Sequence, residues 1–394
     1  MAEKNLDFDL IVDRRNTKCL KYDFAVERGM PKDVLPLWVA DMDFRTSSYI
    51  QEALIRQTEH GIFGYSEGKE EYFEAVKGWI FKRHGWEVKS NWLVKTPGIV
   101  FALAMAVQAF TAYGDAVLIQ SPVYYPFSEV IADNGRKIVS NPLVYGEDNR
   151  YHIDFQDFEE KIVQNKIRLF FLCNPHNPVG RVWTKEELIR LGDICLKHGV
   201  IVVSDEIHSD FAFVGKHNVF AALKKEYEDI TITCTSPSKT FNIAGAQISY
   251  IFVPNAVLRK ALKAQIDAAG YSQLNVFGLV ACEAAYRYGE EWYQAMKKYV
   301  GDNIRFTKEY VTDNIPKVSM VEHEGTYLVW LNFRELGLDS EELEKLIIDK
   351  AGLWLDSGKI FGDSGIGFQR INVACPRSIL AEALERIKNA VESL

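Results

Sequence analysis

The sequence predicts an α/β fold: a large unit built on a mostly parallel central sheet flanked by helices, followed by a smaller α+β C-terminal unit. Three observations carry that expectation. Between about residues 92 and 255, short apolar runs alternate with helical patterns, the signature of βαβ units and of a sheet covered on both faces. After about residue 286 the pattern changes to charged helical stretches around one strand-like run. The chain has 394 residues, 47% of them hydrophobic, which is enough for a sizeable core and more than one folding unit.

The elements follow in order. Residues 1–45 are too short to fold alone and are expected to pack with the small unit; residues 46–285 form the large unit and 286–394 the small one. A long apolar helix is expected after Gly98, ending near Gly114. Strands are expected at Ala116 to Gln120, Leu169 to Cys173, Gly199 to Val203 and Ile230 to Cys234, each short, apolar and rich in β-branched or aromatic residues. One intervening helix is well marked: Thr184 caps its start with Glu187 three residues on, Leu188, Leu191 and Cys195 follow at helical spacing, and Gly199 ends it. In the small unit, Tyr327 to Asn332 reads as a strand and Glu341 to Asp349 as a helix. No repeat, low-complexity tract or Gly/Pro/Ser-rich linker divides the chain.

Composition narrows the class. Net charge is −8 and no basic block is present, which argues against nucleic acid or an anionic membrane surface as main partner. The six cysteines are scattered singly, and four of them (Cys173, Cys195, Cys234, Cys282) sit in apolar stretches, so reduced buried thiols and a cytoplasmic setting are expected. The charged N-terminus lacks a signal-like apolar core, and the longest strongly apolar stretch, Gly98 to Phe110, falls short of the roughly 20 residues that span a bilayer.

In parallel α/β sheets ligands gather outside the carboxyl ends of the strands, and here four such ends carry chemistry. Thr96-Pro97-Gly98-Ile99-Val100 opens a helix whose free N–H groups suit a phosphate, although an ordinary turn would read the same. Asn174-Pro175-His176-Asn177-Pro178 is stiffened by two X-Pro steps, so Asn177 can donate to a ring oxygen. Ser204-Asp205-Glu206-Ile207-His208 places two acids at a buried strand end, which costs solvation unless a cation meets them. A protonated ring nitrogen opposite Asp205 would gain about 4 kcal/mol at ~4 Å and an effective dielectric of ~20. A metal would need more ligands; beside His208 no second histidine or cysteine has suitable spacing, so no metal is expected. The fourth end, Ser236-Pro237-Ser238-Lys239-Thr240, places a lysine beside two hydroxyls. Alone, Lys239 would read as a surface lysine in a turn. With the other three ends it reads as a covalent amine nucleophile in a pocket for pyridoxal 5′-phosphate, with Tyr124 of Ser121-Pro122-Val123-Tyr124-Tyr125 stacked on the ring.

These stretches, with Leu37-Trp38-Val39-Ala40-Asp41-Met42-Asp43-Phe44, Phe63-Gly64-Tyr65 and Ser238-Lys239-Thr240-Phe241-Asn242, resemble the fold type I aminotransferase superfamily over nearly the whole chain. Within class I/II the sequence is most similar to the cystathionine β-lyase and cysteine C–S lyase branch (the MalY/PatB type). The resemblance implies Lys239 as the Schiff-base lysine, Asp205 paired with the pyridine nitrogen, Asn177 on the ring oxygen and Tyr124 on the ring face. It implies a phosphate site from Gly98, Ile99, Val100, Ser236 and Ser238, with His208 near the cofactor. Ala40, Tyr125, Asn177 and Arg370 would meet the substrate, Arg370 as a bidentate carboxylate clamp. Tyr65 would reach the phosphate of a neighbouring subunit, implying a homodimer with shared sites. Two positions depart from the broader aminotransferase pattern: Gln247 stands where an arginine usually contacts the phosphate, and His208 where a tyrosine is common. Both changes look like the lyase branch, and the first removes a charge-assisted contact.

The expected reaction is β-elimination of cystathionine or other cysteine S-conjugates to a thiol, pyruvate and ammonia. An aminotransferase, including one of histidinol-phosphate type, would use the same lysine and acid. A regulatory interaction protein on the same fold is the alternative from another class.

Overall fold

The computed structural model describes residues 2–394. Seven strands form the central sheet: β1 (Leu93–Thr96), β2 (Ala116–Ile119), β3 (Lys137–Ser140), β4 (Leu169–Cys173), β5 (Ile201–Asp205), β6 (Thr231–Thr235) and β7 (Ser249–Phe252). A second sheet holds β8 (Ser319–Met320), β9 (Leu328–Asn332), β10 (Asp356–Ser357) and β11 (Phe368–Asn372). The helices that matter below are α1 (Ser48–His60), α2 (Glu70–His84), α3 (Ile99–Phe110), α4 (Lys185–His198), α5 (Pro237–Thr240), α6 (Val276–Tyr288), α7 (Glu290–Asn314) and α8 (Arg377–Glu392).

The central sheet runs β1-β7-β6-β5-β4-β2-β3, with β2 to β6 parallel to one another and β7 antiparallel to both β1 and β6. Strand β4 shows why both faces are covered. Leu169, Phe171 and Cys173 enter one apolar cluster with Ile99, Leu103, Phe127 and Leu262, whereas Phe170 and Leu172 enter another with Phe158, Trp183, Leu188 and Leu191. All five residues of β4 are buried, so each successive side chain finds a core on its own side.

Register places the chemistry. Cys173 pairs with Asp205, and Asp205 with Cys234, so β4, β5 and β6 end together and their next residues share one rim. Strand β5 starts at Ile201 because Gly199, at φ 65°, caps α4, and the Val200 N–H bonds back to Cys195 O at 2.9 Å. The capping box of Thr184 and Glu187 is present. Helix α3 stops at Phe110, where Thr111 turns extended, rather than at Gly114.

Helix α7, 25 residues long, leads to the antiparallel second sheet, ordered β8-β9-β11-β10. The start of the chain joins that end of the molecule: Leu35–Pro36 pairs in parallel with Leu353–Trp354, and Trp38 stacks on Trp354 at 4.4 Å. The helical pattern from Glu341 becomes a regular helix over Ser340–Lys345 that widens over Leu346–Lys350. Among the described residues, no helix is long and apolar enough to cross a membrane.

Candidate active site

The rim formed by β4, β5 and β6 opens into a cavity lined by Ala40, Ile99, Val100, Tyr124, Cys173, Asn177, Asp205, Ile207, His208, Ser238 and Lys239. Elements far apart in sequence thus bring together most of the residues singled out above.

Lys239 sits in α5, a single turn whose start is capped by Ser236: the Ser236 Oγ accepts from the Ser238 N–H at 3.0 Å. The lysine Nζ donates to Ala40 O at 2.6 Å. Burial pushes its pKa down to about 8; Arg370 adds to that shift, while Asp41 and Asp205 oppose it. Asp205, at the end of β5, is pushed up to about 7 by burial, against the pull of the Ile207 N–H and of Lys239. Its only hydrogen bond among the described residues is that N–H, at 3.2 Å. A buried carboxyl so poorly solvated is poised to take a cation or a protonated nitrogen.

The other walls supply donors. Asn177 lines the cavity, and its Oδ1 accepts from Arg370 Nη1 at 3.0 Å, which fixes Nδ2 as the donor end of the amide. Both asparagine–proline peptides of this loop are cis. Gly98 caps α3 without a side-chain hydrogen bond, so the first N–H groups of that 12-residue helix, at Ile99 and Val100, face the cavity beside Ser238. Tyr124 offers a ring face, and His208 is buried, held neutral by desolvation and the nearby Lys239 and Arg370, edge-on to Tyr327.

Five of the expected residues lie outside this lining, among them Arg370, which adjoins it through its bond to Asn177 Oδ1. Ser236 faces away: its hydroxyl donates to Ile248 O at 2.6 Å and caps α5. Gly98 contributes through the helix start that it caps. Tyr125 lines a neighbouring cavity with Arg28, Trp38 and Asp356. Tyr65 is 97% exposed on the extended segment between α1 and α2. Gln247 takes a left-handed conformation, φ 46°, and lines a further opening shared with Lys239, Arg14 and Asp41.

The strap from Trp38 to Phe44 forms the roof, and side chains hold nearly every carbonyl along it. Arg370 binds Trp38 O, Asn372 binds Val39 O and Asp41 O, and Lys239 and Tyr327 share Ala40 O. Asn242 binds Met42 O and Phe44 O and accepts from the Met42 N–H. Below, Arg14 reaches Asp41 and Asp43 at 2.6 and 2.7 Å, and the fully buried Lys21 meets Asp43 at 2.7 Å. Sequence reasoning missed Tyr327, Asn242, Asn372 and Asp356. The available signal was adjacency, since Asn242 follows Lys239 by three residues and Asn372 follows Arg370 by two.

A second buried layer steadies this constellation. Glu206, next to Asp205, accepts from Ser204 Oγ, His217 Nε2 and the Phe220 N–H. Asp210 accepts from Trp79 Nε1 at 3.0 Å and from Thr240 Oγ1, beside Lys239, at 2.7 Å.

An amine, a poorly solvated carboxyl, an amide donor, an aromatic face and helix-start N–H groups thus share one cavity. Pyridoxal phosphate, with its aldehyde, basic ring nitrogen, ring oxygen and phosphate, offers a partner to each. No group of three or more metal-ligating side chains occurs among the described residues.

Comparison with known proteins agrees with this geometry. The model of the family "Aminotransferase class I and II" matches residues 32–387. The chain is 44% identical to cystathionine β-lyase PatB of Bacillus subtilis, over 98% of this chain and 100% of that protein. Among solved structures, cystalysin from Treponema denticola, which contains a pyridoxal 5′-phosphate cofactor, superposes with a TM-score of 0.94 at 39% identity, covering 98% of this chain and 99% of that one. The PLP-bound C–S lyase of Staphylococcus hominis gives a TM-score of 0.91 at 34% identity, with 98% of each chain covered. With the sheet order, the rim and the near-complete coverage in accord, the chain belongs to the aminotransferase class I and II family.

Proposed function

We propose that the protein is a pyridoxal-phosphate-dependent carbon–sulfur β-lyase, cleaving cystathionine or related cysteine S-conjugates to a thiol, pyruvate and ammonia. The carrying observation is the meeting of Lys239 and Asp205 in one cavity, in a chain whose near-full-length relatives include cystathionine β-lyases.

When bound, the cofactor supplies an electron-withdrawing ring that acidifies the substrate α-carbon. The chain's own residues divide the remaining work. Lys239 would hold the cofactor covalently and, once freed, would take the α-proton; an amine whose pKa is lowered to about 8 is partly neutral near physiological pH. Asp205 would hold a ring nitrogen protonated, Asn177 would donate to the ring oxygen, and Tyr124 would offer the ring an aromatic face. The Ile99 and Val100 N–H groups with the Ser238 hydroxyl receive the phosphate. Arg370 receives the substrate carboxylate. The sulfur leaves as thiolate with little acid assistance, because thiol pKa values lie near ~8.5. One water is consumed overall: cystathionine and water give homocysteine, pyruvate and ammonia.

We further propose a homodimer with shared sites. Tyr65, Ile62 and Phe63 are exposed by 97, 69 and 57% on one segment, an uncovered apolar stretch that a second copy would bury. The division into a segment 1–45, a large unit 46–285 and a small unit 286–394, and a cytoplasmic location, belong to the same reading.

Purified protein incubated with cystathionine alone tests the reaction. Thiol and pyruvate without added keto acid support elimination; a requirement for a keto acid acceptor makes the enzyme an aminotransferase instead.

A further inference from the structure

We propose that Asp356 sets how strongly Arg370 binds a substrate carboxylate, as an internal carboxylate that competes for the same guanidinium. The proposal rests on the reading of Arg370 as the carboxylate clamp.

Asp356 and Arg370 are cross-strand partners on β10 and β11, so the backbone places them face to face. Arg370 is 2% and Asp356 6% exposed. Arg370 Nη2 donates to Asp356 Oδ2 and, at 2.9 Å, to Trp38 O, which uses both of its hydrogens. Nη1 spends one hydrogen on Asn177 Oδ1 at 3.0 Å. Nε is buried without a partner. The guanidinium also lies over the Phe361 ring at 4.9 Å, which fixes its plane. A carboxylate gripped end-on needs one hydrogen from each of Nη1 and Nη2. Nη2 has none to spare, so a carboxylate gripped by two bonds that include Nη2 must displace Asp356 or Trp38 O from it, and otherwise settles for the spare hydrogens of Nη1 or Nε.

Asp356 makes no other hydrogen bond or ion pair among the described residues, so its charge is spent on Arg370 alone. The same carboxyl borders a neighbouring cavity of about 300 Å³, lined also by Arg28, Trp38, Tyr125 and Glu344. That cavity gives Asp356 room into which it can turn when the substrate takes Nη2. The clamp is therefore neutral as a pair and becomes cationic only to the extent that Asp356 yields. This tempers its hold on amino acids in general.

The test uses the holoenzyme and L-alanine, which carries the α-carboxylate and no leaving group, titrated through the cofactor absorbance. In Asp356→Asn the apparent Kd for L-alanine is expected to fall on the order of tenfold, the weight of about one charge-assisted hydrogen bond. With cystathionine, KM should change by a larger factor than kcat. An unchanged or raised Kd overturns the proposal. In an Arg370→Met background the same substitution should have no effect; equal tightening there also overturns it, since the guanidinium would not be the mediator. Asp356→Ser, titrated identically, serves if the Asn variant does not fold. A wild-type enzyme silent to L-alanine removes Arg370's role and this proposal together. An alanine response without thiol release from cystathionine overturns the lyase reading alone.

Discussion

The Ala40 carbonyl oxygen accepts two hydrogen bonds, from the Lys239 amine at 2.6 Å and from the Tyr327 hydroxyl at 2.9 Å. Whenever the amine leaves this carbonyl to do chemistry, Tyr327 keeps the buried oxygen satisfied. Tyr327→Phe removes that support, so each departure of the amine strands an acceptor at a cost of about 1–3 kcal/mol. The expected outcome is a kcat lowered by about tenfold with the cofactor band retained, read by steady-state kinetics and absorbance on one preparation. Unaltered kcat would show that the shared carbonyl does not restrain the amine.

Below the strap, the ammonium of Lys21 is fully buried and depends on Asp43, at 2.7 Å, with Asp41 farther off at 3.9 Å. Asp43→Ala leaves a buried cation and the Arg14 fork short of a partner. Breaking such a pair typically costs about 3–5 kcal/mol. Urea unfolding should show that loss. Lys21→Met in the same background should recover much of it, because the stranded charge goes with the lysine.

The rim was legible in the sequence because parallel strands concentrate chemistry at their carboxyl ends, and Asp205, Asn177 and Lys239 each lie within five residues of the end of an apolar run. Three strands of the central sheet, β1, β3 and β7, do not stand out in the sequence. Ser249–Phe252 follows α5 closely and pairs antiparallel with both neighbours, so no crossover helix announces it. The family resemblance implies the Ser236 hydroxyl on the phosphate; a serine directly before a proline-started turn caps that turn instead, and its hydroxyl donates to Ile248 O. Asp356 was invisible because its meaning comes from cross-strand register with Arg370, which no local pattern encodes.

Asp210 ties the catalytic turn to α2 by accepting from Thr240 Oγ1 and Trp79 Nε1. Thr240→Val keeps the shape and removes one hydrogen bond to a buried carboxylate, worth about 1.5–3 kcal/mol. The expected outcome is a stability loss of that size together with faster cofactor loss on dialysis, because α5 carries Lys239. A stability loss with unchanged cofactor retention would make the contact purely structural.

Asp205 gives a pH signature of the protein without cofactor. Its pKa is raised by burial from 3.8 to about 7, so the folded chain binds the extra proton between those values while the unfolded chain does not. The stability attached to that proton is therefore complete below about pH 4 and is lost as pH rises through about 7. Asp205→Asn removes the ionisation and should stabilise the cofactor-free protein at pH 8 by about 2–4 kcal/mol, while leaving it nearly unchanged at pH 4. Lys239, lowered from 10.5 to about 8, acts in another window: its contribution grows as pH rises from about 8 toward 10.5. Urea unfolding of wild type and variant at pH 4 and pH 8 separates the two groups. A variant no more stable than wild type at pH 8 would mean that Asp205 already has a cationic partner in the folded chain, and the case for a ring nitrogen opposite it would fall.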